Sequence, residues 1–490
     1  MRVFAGIDNG TQSTKVLVYD ADEKRVLALV QAPHELISRS DGSREQLASW
    51  WVEALSSCFA QIDPSLLKEI KGIGVSGQQH GFVPVGGDGQ VLAPVKLWCD
   101  TSTQNECDEI TLHFGGARHL IQMMGNEVKV GYTASKILAF KKHEPQLYQK
   151  MAKVLLPHDY LNYLLTGSYT MEAGDASGTA LFDVRNRTWC QEILSFIDDK
   201  RDWTSTLPPL VSKRAGVVSS SAAKRFGIPE GIPVSTGGGD NMMGAIGTGT
   251  VKSGSLTMSL GTSGTLYGAS DVPVVDEQGR LAAFCSSSGS WLPLLCTMNC
   301  TVSSELTRSL FSLDVKEFDA LALSSPIGAE GVVMLPFFNG ERTPNYPHGK
   351  GTIFGLDTAN FKKENLARAA MEASIYGLQL GLDAFCSLGF SPQTITLIGG
   401  GAKSAVWRQM VADVCNLPVR IPCIAEAAAF GGVLQVLSLV SGKSLDCVTE
   451  EHVTYTQEKT CNPRADNHQA YLVSYAAWRK LVDYVGLLYQ

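Results

Sequence analysis

Three short turns hold the groups that could bind phosphate: Asp8-Asn9-Gly10-Thr11, Leu260-Gly261-Thr262-Ser263-Gly264 and Gly399-Gly400-Gly401-Ala402. Each follows an apolar run that reads as a strand, and glycine-rich turns present backbone N–H groups to anions at close range. One such turn is more often an ordinary hairpin. Three together, two with a threonine hydroxyl, bring a nucleotide site level with that reading. Two carboxylates stand out. Asp8 lies on the first turn, with Thr11 and Gln12 just beyond it, and Asp240 follows Gly237-Gly238-Gly239 and precedes Asn241. Phosphoryl transfer needs Mg²⁺ near the phosphates and an acceptor for the nucleophile's proton. A carboxylate at a phosphate turn suits the metal, and one elsewhere in the site suits the base. Taken singly, each would more often cap a helix or shape a turn. Gln78-Gln79-His80-Gly81 gathers the paired donors and acceptors that a polyhydroxylated ligand needs, although a single histidine at a strand end is more often structural. Trp98 could cover the apolar face of a sugar or be an ordinary core residue. Asn339 to Pro344 reads as an ordered polar loop.

Three other patterns fail. Gly442-Lys443-Ser444 has Leu437 where a P-loop needs its first glycine. Gly72-Ile73-Gly74-Val75-Ser76-Gly77 matches G-x-G-x-x-G in letters, but it lies inside a strand-like run and leads into Gln78-Gln79-His80-Gly81 instead of a helix, so it reads as a chance match. No serine sits in G-x-S-x-G, which removes the simplest serine-hydrolase reading.

The elements that must position these groups alternate. Val3 to Ile7 and Lys15 to Tyr19 read as strands around the first turn, with a third strand from Arg25 to Gln31. Glu45 to Ile62 has helical periodicity, with Trp51, Leu55, Cys58 and Phe59 on one face. Ile70 to Val75 is a strand again. A second series begins near residue 232. Ile232 to Thr236 is strand-like, Ser255 to Leu260 and Gly264 to Gly268 flank the second turn, and Thr394 to Ile398 precedes the third. Glu364 to Leu388, Val406 to Cys415 and Ala427 to Val440 read as helices. The two strand–turn–strand units, about 250 residues apart, form a weak internal echo that suggests duplication. The boundary falls near Gly247, giving domains 1–246 and 247–490, with Gly244 to Thr250 as a stretch that could flex.

Composition bounds the rest. The 490 residues carry 41 basic and 48 acidic side chains, a formal charge of −7, and the mean hydropathy is +0.02. These are the values of a folded chain, long enough for more than one domain. Mild acidity without a basic run argues against nucleic acid or an anionic membrane as partner. No segment approaches the ~20 apolar residues of a membrane span, and Asp8 interrupts what would be a leader, so a cytoplasmic protein is expected. The 12 cysteines include no C-x-x-C pair and read as reduced, mostly buried thiols. A homodimer is the base-rate expectation.

Taken together, these segments resemble the FGGY family of carbohydrate kinases, relatives of actin, hexokinase and the heat-shock ATPases, over nearly the whole chain. Ile7 to Thr11 and Ser259 to Gly264 are similar to its two phosphate motifs. Leu397 to Ala402 is similar to its adenosine motif, and Gly351 to Glu372 to its C-terminal signature. Within the family the likeness is greatest to members that phosphorylate D-xylulose, through Ser76 to Gly81, Gly238 to Asn241, Gly340 to Pro344 and Trp407 to Met410. Glycerol is disfavoured, since Gln79-His80 stands where glycerol-specific members carry Arg-Glu. The resemblance implies an α/β fold of two actin/hexokinase-like (ribonuclease H-like) ATPase domains flanking an interdomain cleft, with sugar on the N-terminal side and ATP on the C-terminal side. It implies Asp240 as general base and Asp8 near Mg²⁺. It implies ketose contacts from Gln79, His80, Asp240 and Asn241, phosphate contacts from Thr11, Gln12, Gly261 and Thr262, and an adenosine pocket at Gly400, Gly401 and Ala402. Three positions depart from the family pattern. Gln79 replaces the methionine of many bacterial members, and Ser135 and Ala139 stand where proline and tryptophan are usual in the signature around Thr133 to Leu138. A kinase for another ketose or polyol, such as ribulose, and a nucleotide-dependent sensor remain alternatives.

Overall fold

The computed structural model describes residues 2–489, which form two compact units. The first contains everything up to Ser253 together with two later segments, Ala269–Pro293 and Glu426–Val453. The second contains Gly254–Gly268, Leu294–Ala425 and the chain from Thr454 onward. The chain therefore crosses between units several times and does not divide at one point.

The sheet of the first unit runs in the order Arg214–Val217, Pro233–Ser235, Ile70–Gly77, Val3–Asn9, Ser13–Asp20 and Arg25–Pro33. The first three strands in sequence form an antiparallel meander, and Ile70–Gly77 then joins Val3–Asn9 in parallel. Val3, Ala5, Ile7, Ile73 and Val75 are fully buried. Strands covered on both faces are expected to read as such unbroken apolar runs. One face is covered by helices Ala48–Ala60, Pro157–Thr166 and Ser220–Phe226, through a core that includes Trp51, Leu55, Phe59, Leu161 and Phe226.

Helix Ala427–Ser441 lies against the same sheet and against helix Asp240–Gly247. Glycines make this approach possible. A Cβ on Gly6 would enter the shell of the Ala429 carbonyl oxygen, one on Gly74 that of Gly432, and one on Gly247 that of Ala427. Within the failed nucleotide pattern, Gly72 and Gly74 are thus part of the seat for this helix, while Gly77 makes room for His158.

The second unit repeats the scheme. Its sheet runs Leu294–Thr297, Gly264–Gly268, Leu256–Leu260, Ile395–Ile398 and Val419–Arg420, again an antiparallel meander joined in parallel by a later strand. The internal echo therefore extends to strand order and direction. The 25-residue helix Lys363–Ser387 packs on this sheet, with Ala367, Ala370, Ile375, Leu378 and Phe385 buried. The C-terminal helix Ala465–Gly486 is fixed partly by Trp478, whose indole N–H donates to the Met334 carbonyl at 3.0 Å.

Three local expectations need correction. The first long helix starts at Ala48, not Glu45, because Arg44–Gln46 pairs as a strand with Ile37–Ser38 and Val95–Lys96. Within the Gly244 to Thr250 stretch, Gly244 to Gly247 is a buried part of helix Asp240–Gly247 instead of an open linker. All twelve cysteines are free as expected, but only six are buried, and Cys386, Cys423 and Cys447 are exposed.

Candidate active site

In the first unit, Val3–Asn9 and Ile70–Gly77 run side by side and place Asp8 opposite Ser76. The Ser76 hydroxyl donates to Asp8 Oδ1 at 2.9 Å. Burial holds the Asp8 pKa above the ordinary aspartate value, despite the bond from Ser76 and the nearby charge of Lys15. Beyond the strand, the turn at Gly10 closes with an N–H···O bond to Ser13 at 3.0 Å. The Thr11 hydroxyl donates to Gln78 Oε1 at 3.2 Å and accepts from the Trp98 indole at 3.0 Å. The side chain of Thr11 is thus committed to this network, and Trp98 serves as its anchor. Gln12 is exposed on the turn.

Asp240 is the first residue of a helix whose N-cap is Gly239. Gly238 and Gly239 pair in parallel with Ser76 and Gly77, which brings Asp240 beside the end of the strand that carries Gln78, Gln79 and His80. Asn241 joins the set. Its Nδ2 donates to Gln79 Oε1 at 2.8 Å and to Asp240 Oδ1 at 3.2 Å, and its backbone N–H donates to the same oxygen at 2.8 Å. Gln79 is buried, and its Nε2 has no acceptor among the described residues. A buried donor without a partner is unfavourable unless a ligand completes it. The His80 ring lies 4.6 Å from Tyr132 and 5.8 Å from Phe284, between centroids. Burial, with the charges of Asp8 and Asp175, pushes the Asp240 carboxyl up to about 7.

A polar layer under this site was not foreseen from the sequence. His158 is fully buried, with Nδ1 2.9 Å from Asp175 Oδ2 and Nε2 3.0 Å from Asp159 Oδ1. Burial alone would drive the proton off His158, but the two carboxylates hold its pKa well above the histidine range. Glu172 caps the following short helix, accepting from the N–H groups of Gly174 at 2.6 Å and Asp175 at 2.5 Å. Burial raises its carboxyl to about 7. The only signal for this layer was a scatter of acids through 159–175 beside one histidine, which local spacing does not connect.

In the second unit, the Gly261 carbonyl accepts from Thr301 N at 3.0 Å and from the Thr301 hydroxyl at 2.9 Å. The second turn is thereby fastened to the start of helix Thr301–Leu310, and Thr262 is exposed at its tip. The third turn packs on the same strand end. A Cβ on Gly399 or Gly401 would collide with Leu260, whereas one on Gly400 would meet nothing within 4 Å. Gly400 is exposed and Ala402 is buried. The Arg408 guanidinium fixes the turn by donating to the carbonyls of Ala402 at 3.0 Å and Lys403 at 2.9 Å. Gly261, Thr262, Gly400 and Gly401 thus border one strand end, while Ala402 supports the turn from beneath. The loop at Asn339 to Pro344 is ordered around Glu341, which accepts from Met298 N at 2.6 Å and Arg342 N at 2.8 Å.

Comparison with known proteins shows the family. The model of the N-terminal domain of the FGGY family of carbohydrate kinases matches residues 3–247, and that of the C-terminal domain matches 256–438. The chain belongs to this family and has its two-domain α/β kinase fold. It is 43% identical over 485 residues to a xylulose kinase of Haemophilus influenzae, covering 96% of this chain and 98% of that protein. The solved structure of a xylulose kinase from Rhodospirillum rubrum superimposes with a TM-score of 0.90 at 25% identity, covering all of both chains. A gluconate kinase from Lactobacillus acidophilus superimposes with a TM-score of 0.91 at 21% identity, covering 100% of this chain and 99% of that one. That likeness concerns the fold alone. No helix among the described residues is long and apolar enough to cross a membrane.

Proposed function

We propose that this chain transfers the γ-phosphoryl group of ATP to the 5-hydroxyl of D-xylulose, giving D-xylulose 5-phosphate and ADP. The observation that carries the reading is the Asn241 amide, which ties Gln79 to Asp240 and so holds a sugar-binding side chain and a base in one set. The relatives named xylulose kinase favour this ketose among the sugars such a pocket could hold.

The geometry supports the following roles. The partnerless Gln79 Nε2 would donate to a sugar hydroxyl, and His80 would contact another. Asp240 takes the proton of the 5-hydroxyl as that oxygen forms its bond to the γ-phosphorus. The bond from phosphorus to the β–γ bridging oxygen breaks, and ADP leaves with the electron pair. A carboxyl titrating near neutrality suits a base at physiological pH. The Gly261-Thr262 and Gly399 to Gly401 turns would hold the nucleotide, with Ala402 beneath. In the first unit the backbone at Thr11 and Gln12, more than the Thr11 hydroxyl, is left to meet phosphate oxygens.

Asp8 would hold Mg²⁺. No set of three or more His, Cys, Asp and Glu side chains among the described residues makes a metal cage. Mg²⁺ at phosphoryl-transfer sites takes one or two carboxylates with waters and substrate oxygens, and a single recessed carboxylate beside a phosphate turn fits that donor set. When bound, the ion would neutralise phosphate charge and orient the γ-phosphoryl group. ATP chemistry also fits the cytoplasmic setting expected from the sequence.

Asp240→Asn tests the base. A positioned base contributes roughly 10²–10⁴ in rate, so kcat should fall at least about a hundredfold with the circular dichroism spectrum unchanged. The wild-type kcat/KM for the sugar should fall as pH drops through about 7, because the carboxylate must be ionised to accept the proton. A kcat within about threefold of wild type would remove Asp240 from this role.

A further inference from the structure

Lys136, in helix Thr133–His143, is completely buried. A buried ammonium is unfavourable unless its donors are satisfied. Here Nζ donates to the His80 carbonyl at 2.7 Å and to the Gly131 carbonyl at 2.6 Å. His80 itself has φ of 62°, in the left-handed region that residues with a side chain seldom enter and that persists only when the surroundings enforce it. A second donor, the Thr133 hydroxyl, reaches the same carbonyl at 3.2 Å. The imidazole is confined as well, since a Cβ on Gly178 would collide with it. The direction of the ring is therefore set by a backbone conformation that two side chains of one helix hold from behind.

We propose that Lys136 is a positioning residue for sugar recognition, holding His80 in its left-handed conformation so that the imidazole meets the substrate. The inference rests on the reading of His80 as a sugar contact. It explains why the chain keeps a lysine where no solvent reaches it. Burial draws that lysine's pKa down to about 7 against the pull of Asp100 and Cys99, a cost that an apolar residue would avoid.

A double-mutant cycle tests it, with His80→Ala, Lys136→Met, the double variant and wild type assayed by ADP release for KM of D-xylulose and of ATP. Each single variant should raise the sugar KM about tenfold, the loss expected for one hydrogen bond to the substrate, with the ATP KM within about twofold. In the His80→Ala background, Lys136→Met should add no more than about twofold, because both changes remove one function. Equal effects of Lys136→Met in both backgrounds would overturn the proposal, leaving His80 a sugar contact. An unchanged sugar KM in His80→Ala would overturn both. If Lys136→Met does not fold, Thr133→Val takes its place in the cycle, with a rise of about threefold expected and the same non-additivity required.

Discussion

Asp240 occupies the first turn of its helix, where the positive end of the helix dipole favours a carboxylate. Its carboxyl nevertheless titrates near neutrality, because burial and the charges of Asp8 and Asp175 outweigh that effect. The shift also affects stability. Between the ordinary aspartate value and about 7, the folded chain holds a proton at Asp240 that the unfolded chain has lost, so stability falls as pH rises through that window. Asparagine does not titrate. The Tm of Asp240→Asn should therefore exceed that of wild type by more at pH 8 than at pH 5, and a pH-independent difference would contradict the account. The sequence exposed Asp8, Gln79, His80, Asp240 and Asn241 because strand ends and glycine turns mark places where polar groups can face a ligand. It concealed His158 and Asp175, which lie 17 positions apart and meet only through the fold. Lys136 was hidden for a related reason: Thr133 to Leu138 reads only as a family signature, and nothing local shows that every residue from Thr133 to Phe140 is buried.

At the scale of elements, the glycines divide into two kinds that the sequence does not distinguish. Gly74 is covered by the backbone of helix Ala427–Ser441, whereas Gly400 faces open space with ordinary helical φ and ψ of −61° and −42°. Gly74→Ala should destabilise by about 1–3 kcal/mol or more, as overpacking against rigid backbone does, and urea unfolding would show it. Gly400→Ala should leave stability within about 0.5 kcal/mol but raise the KM for ATP several-fold, since the methyl group would occupy space assigned to the nucleotide. An unchanged KM would move the nucleotide away from this turn. Strand–turn–strand units and long helices were legible because their periodicity is local. The start of the first helix was misjudged because Arg44–Gln46 owes its extended form to partners as distant as Lys96, which pairs with Glu45. Gly244 to Gly247 reads as pliant by composition, but it is helical and Gly247 packs closely against a second helix.

For the whole molecule, the first unit is completed by segments made late in synthesis, Ala269–Pro293 and Glu426–Val453. Nothing in the periodicity of Ala427 to Val440 tells which sheet the helix will cover, since it is apolar nearly all round. A fragment ending at residue 253 would leave one face of its sheet without that helix. It should lack a cooperative urea transition, and native-like cooperative unfolding would contradict the packing described here. Water competes with sugar as phosphoryl acceptor, so slow ADP release without sugar is expected, well below the rate with the true acceptor. The most direct test of the central claim is ADP release from Mg·ATP with D-xylulose, L-xylulose, D-ribulose, L-ribulose, glycerol and no sugar. The kcat/KM for D-xylulose should exceed that of every other acceptor by about tenfold or more, roughly 1.4 kcal/mol of discrimination. A different leading acceptor would contradict the assigned substrate. No acceptor raising ADP release above the sugar-free rate would contradict the assigned reaction.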